Sequence, residues 1–213
     1  MIGGRDILFA SVLAGAALAA PGLRAHPHVF VETGLTLVAD DQGRLVGVEV
    51  SWRYDDFYSL LLLEDMGLDA DGDGALTPEE LARLDGFDLN WIEGYLGDLY
   101  LTVAETDVAL GRPEARGTEV VEGRIVTRHF RAFAPVAGRI TVKAYDPTFY
   151  TAYDLNGGVT VPEGCALSVQ PADLDRAYTM VEEALYGRPA LADDEFPEVG
   201  EAFADVIEVT CAA

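Results

Sequence analysis

The segment DADGDGALTPEE, residues 69–80, places oxygen-bearing groups at alternate positions. A calcium loop of the EF-hand type supplies ligands from positions 1, 3, 5, 7, 9 and 12 and carries glycine at position 6. Here those positions hold Asp69, Asp71, Asp73, Ala75, Thr77 and Glu80, with Gly74 at the sharp turn. Ala75 would offer its backbone carbonyl, Thr77 its hydroxyl directly or through water, and Glu80 both carboxylate oxygens. Ca²⁺ takes about six to eight oxygens, which alternate carboxylates on a tight loop can supply. Gly74 permits the positive φ of the turn. The run Thr77-Pro78-Glu79-Glu80 is also a helix start, with a threonine cap, proline in the first turn and a capping glutamate. That explains Thr77 and Glu80 without a metal, but not Asp69, Asp71, Asp73 and Gly74 in register. No second loop of this type is present in the sequence to pair with the first. The expected Ca²⁺ is therefore structural rather than a sensor's.

His26 and His28 are the second set of potential ligands. In an extended chain, residues i and i+2 share a face. An N-terminal His26 would add its free amine to the two imidazoles. Pro27 has no N–H, which blocks the square-planar copper geometry that uses backbone amides. The remaining nitrogens suit Zn²⁺, Ni²⁺ or Cu²⁺. His129 lies far along the chain and reads as an ordinary strand histidine. No G-x-S-x-G, H-E-x-x-H or C-x-x-C is present, so the sequence predicts a protein that is not an enzyme.

Residues 1–25 read as a signal peptide: Arg5, a short apolar run to Ala20, and a small residue at Ala25. The run is too short for a membrane span. The expected location is the periplasm, with no stable membrane insertion after processing. In that oxidising compartment Cys165 and Cys211 are expected to pair. Lys and Arg number 14 against 37 Asp and Glu, a net charge of −23. Such a surface repels nucleic acid.

The elements that must hold these groups follow from periodicity. Residues 28–38 and 45–54 alternate as a hairpin, the second with Val46, Val48, Val50 and Trp52 on one face. Helical patterns follow at 57–68, with Asp56 as cap, from 78 to about 86, and at 88–96. Strand patterns occupy 100–104, 119–133, 139–145, 149–155, 166–170 and 206–210, and one more helix 173–186. The expected fold is α+β: a mostly antiparallel sheet or sandwich in a single domain, residues 26–213. Residues 56–97 are expected to form an inserted helix–EF-loop–helix segment.

Together, His26-Pro27-His28-Val29-Phe30, Trp52-Arg53-Tyr54-Asp55, the 69–80 loop, Tyr145-Asp146-Pro147-Thr148-Phe149-Tyr150, Cys165 and the end Val209-Thr210-Cys211 resemble one family. It is a bacterial periplasmic family of unknown function, often described as the periplasmic component of an uncharacterised ABC-type transport system. Phe30 stands where that family commonly has tryptophan. The resemblance implies export, processing close to the HPH segment, and a metal permease of the membrane as partner. A strand-rich chain without βαβ rhythm does not supply the two α/β lobes of a solute-binding protein. The expectation is a metal-binding accessory protein, stabilised by Ca²⁺ and serving transition-metal transport or homeostasis. The alternatives are a calcium-stabilised interaction domain and, more remotely, a copper-dependent oxidative enzyme.

Overall fold

A computed structural model describes residues 27–186 and 197–211. The expected signal peptide, residues 1–25, and His26 lie outside the described residues.

Strand β1, Val29–Ala39, and strand β2, Leu45–Tyr54, form the expected antiparallel hairpin. Their alternation sends Val31, Leu35, Leu37, Val48, Val50 and Trp52 into the core. Each such side chain contributes roughly 1.5–3 kcal/mol on burial. One position departs from the pattern. Leu45, not Val46, is fully buried, because the pairing of β2 slips between Leu45 and Gly47 and the bulge turns the strand's start over.

The long strand pattern at 119–133 is a second hairpin. It comprises β5, Glu114–Val121, and β6, Arg124–Val136, which turn at Glu122 and Gly123 with both residues at positive φ. Strands β3, Leu99–Val103, β4, Thr106–Asp107, and β7, Gly138–Ala144, precede and follow it. Then come β8, Thr151–Asp154, β9, Val159–Thr160, β10, Cys165–Gln170, and β11, Val206–Cys211. The first sheet runs β5-β6-β2-β1-β8, with β8 and β9 both parallel to β1. The second runs β10-β11-β7-β3-β4. Leu99, Leu101, Ile140, Val142, Ile207 and Val209 of the second sheet join the buried side chains of the first in one core. Cys165 and Cys211 sit directly opposite each other on β10 and β11 and are disulfide-bonded. The bridge spans 46 residues, a loop for which the chain-entropy model assigns about 4 kcal/mol.

The described residues are mostly β, with 43% strand and 18% helix. That overturns the α+β assignment and its helix–EF-loop–helix insertion. Between β2 and β3 lie only two short helices, α1, Asp56–Asp65, and α2, Pro78–Leu84. Asp55 rather than Asp56 caps α1, accepting from the Tyr58 N–H at 2.8 Å. Gly67 at φ 60° and bonds from Gly67 and Leu68 back to Glu64 and Leu63 close the helix earlier than its apolar pattern indicates. Residues 88–96 form turns, not a helix. Their apparent helical face fails because Ile92 and Leu96 point to solvent, while Trp91 and Tyr95 pack together and Gly94 and Gly97 take positive φ. Tertiary contacts override spacing here. Helix α3, Leu174–Tyr186, packs beside the short 3₁₀ turn Gly200–Phe203.

Candidate functional site

The acidic loop starts from an anchored residue. Leu68 is buried, and Asp69 follows at φ 51°. The Asp69 carboxylate accepts from the Asp73 N–H at 3.0 Å and the Gly74 N–H at 3.1 Å. Asp73 in turn accepts from the Ala75 N–H at 2.8 Å. Gly74 sits at φ 78°, as its place in the turn requires. The outcome is that Asp69, Asp71 and Asp73 bring carboxylate oxygens within 4.8 Å of one another. Ala75, Thr77 and Glu80 line the same depression. Glu80 is committed elsewhere first. It accepts from the Thr77 N–H and hydroxyl at 2.9 Å each and from the Asp69 N–H at 3.0 Å, closing the capping box at the start of α2. These bonds, with those to Thr77 foremost, hold its carboxyl below the usual range. Leu76 is half-buried against the core and Leu84 wholly buried, so the loop is tied down at both ends. Three hard oxygen donors on a pre-shaped turn fit Ca²⁺ or Mg²⁺ and do not fit a soft metal.

The two described histidines lie in different surroundings. His26 lies outside the described residues. His28 is exposed at the start of β1, its ring 4.9 Å from that of Tyr150, in a groove with Phe57, Tyr58 and Leu61. His129 is 1% exposed on the inner face of β6. Among the described residues neither belongs to a group of three metal-ligating side chains.

Around His129 lies a polar and aromatic layer that the sequence did not disclose. Trp52 and Trp91 meet the imidazole edge-on, with centroids at 4.7 and 5.6 Å. Among the described residues neither ring nitrogen has a hydrogen-bond partner, and burial lowers the pKa of His129 to about 4. The neighbouring Arg131 is 3% exposed. It donates to the carbonyls of Gly111 at 2.6 Å and Leu96 at 2.9 Å, and it lies 4.6 Å over the Trp91 ring. Gly97 lets Trp91 and Arg131 approach, since a Cβ there would sit 2.3 Å from the indole. Two carboxylates flank the layer. Asp88 accepts from the Tyr54 hydroxyl at 3.0 Å and the Thr127 hydroxyl at 2.6 Å. Asp98 accepts from the hydroxyls of Tyr95 and Tyr153, both at 2.8 Å. Burial raises both carboxyls, Asp98 to about 6, and the nearby Asp146 adds to the rise there. One signal was present in the sequence. Thr127, His129 and Arg131 occupy alternate, inward positions of a strand paired on both sides, where apolar residues are the rule.

No curated protein matches the chain. The profile of a family described as "protein of unknown function (DUF1007)" matches residues 11–211, nearly the full length. The chain belongs to this DUF1007 family of proteins of unknown function.

Proposed function

We propose that this chain is an exported, calcium-stabilised metal-binding accessory protein serving transition-metal transport or homeostasis beside a membrane permease. The observation that carries the reading is the convergence of Asp69, Asp71 and Asp73 on one pre-shaped turn. Ca²⁺ would be held by these carboxylates, with Ala75, Thr77 and Glu80 at the margin, and would relieve the repulsion among like charges. It would fasten the connection between two core residues, Leu68 just before the loop and Leu84 at the end of α2. The disulfide suits an oxidising compartment. Among the described residues no helix is long and apolar enough to cross a membrane. The transition-metal role rests on His26 and His28 and on the resemblance of the HPH segment to periplasmic proteins described with ABC-type transport.

A second reading, a calcium-stabilised interaction domain, is favoured by exposed Phe30, Phe57, Leu60 and Tyr150. The two readings separate on titration of the processed protein with Zn²⁺, Ni²⁺ and Cu²⁺. An accessory for metal transport binds one of them in a manner that His26→Ala and His28→Ala weaken by at least roughly tenfold, a ligand's share of affinity. Unchanged affinity in both variants removes the transition-metal role and leaves the interaction domain.

A further inference from the structure

A cleft of about 540 Å³, within the size range of small-molecule sites, opens between the start of β3 and the turn leading into β8. Tyr95, Asp98, Tyr100, Asp146, Tyr153 and Glu198 line it. Asp98 is 7% exposed, and its backbone takes φ 51° to present the side chain. Its Oδ2 is occupied by the Tyr95 and Tyr153 hydroxyls. Both of these bonds go to Oδ2, no described residue donates to Oδ1, and Asp98 lines the cleft. A buried carboxylate with one oxygen left over calls for a donor from outside.

The surroundings narrow the donor. Asp146 and Glu198 add negative charge on the same walls, which repels anions. The carboxylates do not chelate: among the described residues only Asp69, Asp71 and Asp73 bring three ligand atoms within 4.8 Å. Asp146 is turned to its own backbone, accepting from the Thr148 and Thr151 N–H groups at 2.8 and 3.0 Å. Aromatic walls complete the site. Tyr100 is stacked on Tyr145 at 4.1 Å, so its ring is held in place. An ammonium supplies compact donors, and aromatic faces attract both its charge and an attached apolar body.

We propose that this cleft binds a protonated primary amine on an apolar or aromatic body, with the ammonium donating to Asp98 Oδ1 and the body against Tyr95 and Tyr100. The site is separate from the calcium loop and does not depend on it.

The test is titration of the full chain, calcium present, with phenethylammonium chloride, followed by NMR shifts of the tyrosine rings. The neutral 2-phenylethanol serves as control. Saturable binding of the amine, at least roughly tenfold tighter than the alcohol, is expected from a charge-assisted bond. Asp98→Asn keeps a residue that tolerates positive φ and should weaken the amine by a similar factor. Tyr100→Leu leaves Asp98 in place and should weaken it several-fold, so the result does not hang on one variant's folding. Equal binding of amine and alcohol, or amine binding unchanged in Tyr100→Leu and in folded Asp98→Asn, overturns the proposal. Asp71→Asn should leave amine binding intact, which separates failure here from failure of the calcium reading.

Discussion

Asp71 stands on an exposed turn among other carboxylates, whereas Asp98 lies 7% exposed beneath the hydroxyls of Tyr95 and Tyr153. In the loop, water screens the charges, and the local turn brings the oxygens together. Around Trp52, His129 and Asp98, burial penalises charge, and Asp88, Asp98 and Arg131 take hydrogen-bond partners from distant parts of the chain. The loop is therefore fit to take up an ion at little structural cost, while the buried layer is fit to hold the molecule in one arrangement.

The largest expected contrast is in stability. Trp52 is 5% exposed and packs on Trp91, His129 and Tyr153. Trp52→Ala should cost about 4 kcal/mol in urea unfolding. Asp71→Ala, without calcium, should stay within about 0.5 kcal/mol of the parent. Comparable losses in the two variants would break the distinction between fastening loop and structural layer.

A smaller effect comes from pH, and its sign differs between two buried groups. Burial, with Arg131 adding to it, takes His129 from 6.5 to about 4. Its neutral form thus supports stability above pH 6.5, and that support is lost as pH falls towards 4. Asp98 moves the other way, from 3.8 to about 6, through burial and Asp146, against the bonds from Tyr95 and Tyr153. Its contribution is complete below pH 3.8 and is lost as pH rises through 6. Each amounts to about 3 kcal/mol, and between pH 4 and 6 they oppose. His129→Leu should gain about 3 kcal/mol relative to the parent on going from pH 7 to pH 4. Asp98→Asn should gain a similar amount relative to the parent between pH 3.8 and pH 7. Flat difference curves from equilibrium unfolding would show that burial does not shift His129 or Asp98.

Calcium should have the smallest effect. For an extracellular site with a dissociation constant of about 10⁻⁴ M, 1 mM Ca²⁺ adds on the order of 1 kcal/mol. Asp69→Asn should abolish this gain. Differential scanning calorimetry with calcium and with a chelator would measure it, and an unchanged melting temperature in the parent would remove calcium from the loop.

The β1–β2 hairpin, the acidic turn and the Thr77–Glu80 capping box were legible from the chain because each is a short-range pattern. Alternation over ten residues names a strand, and fixed spacing of aspartate and glycine names a turn. The disulfide followed from the expected compartment and was not deducible from spacing. The 88–96 segment misled because apolar residues fall at helical intervals there although Ile92 and Leu96 face solvent. What Trp91 and Tyr95 meet is set by β6 and β8, more than thirty residues downstream.

The sequence by itself determined the positions of the loop carboxylates, since neighbouring residues and their own backbone bonds suffice to arrange them. Only the tertiary structure decided the surroundings of Asp88, Asp98, His129 and Arg131. Their partners come from separate strands and turns, and burial, a property of the whole fold, sets both their charge and their hydrogen bonds.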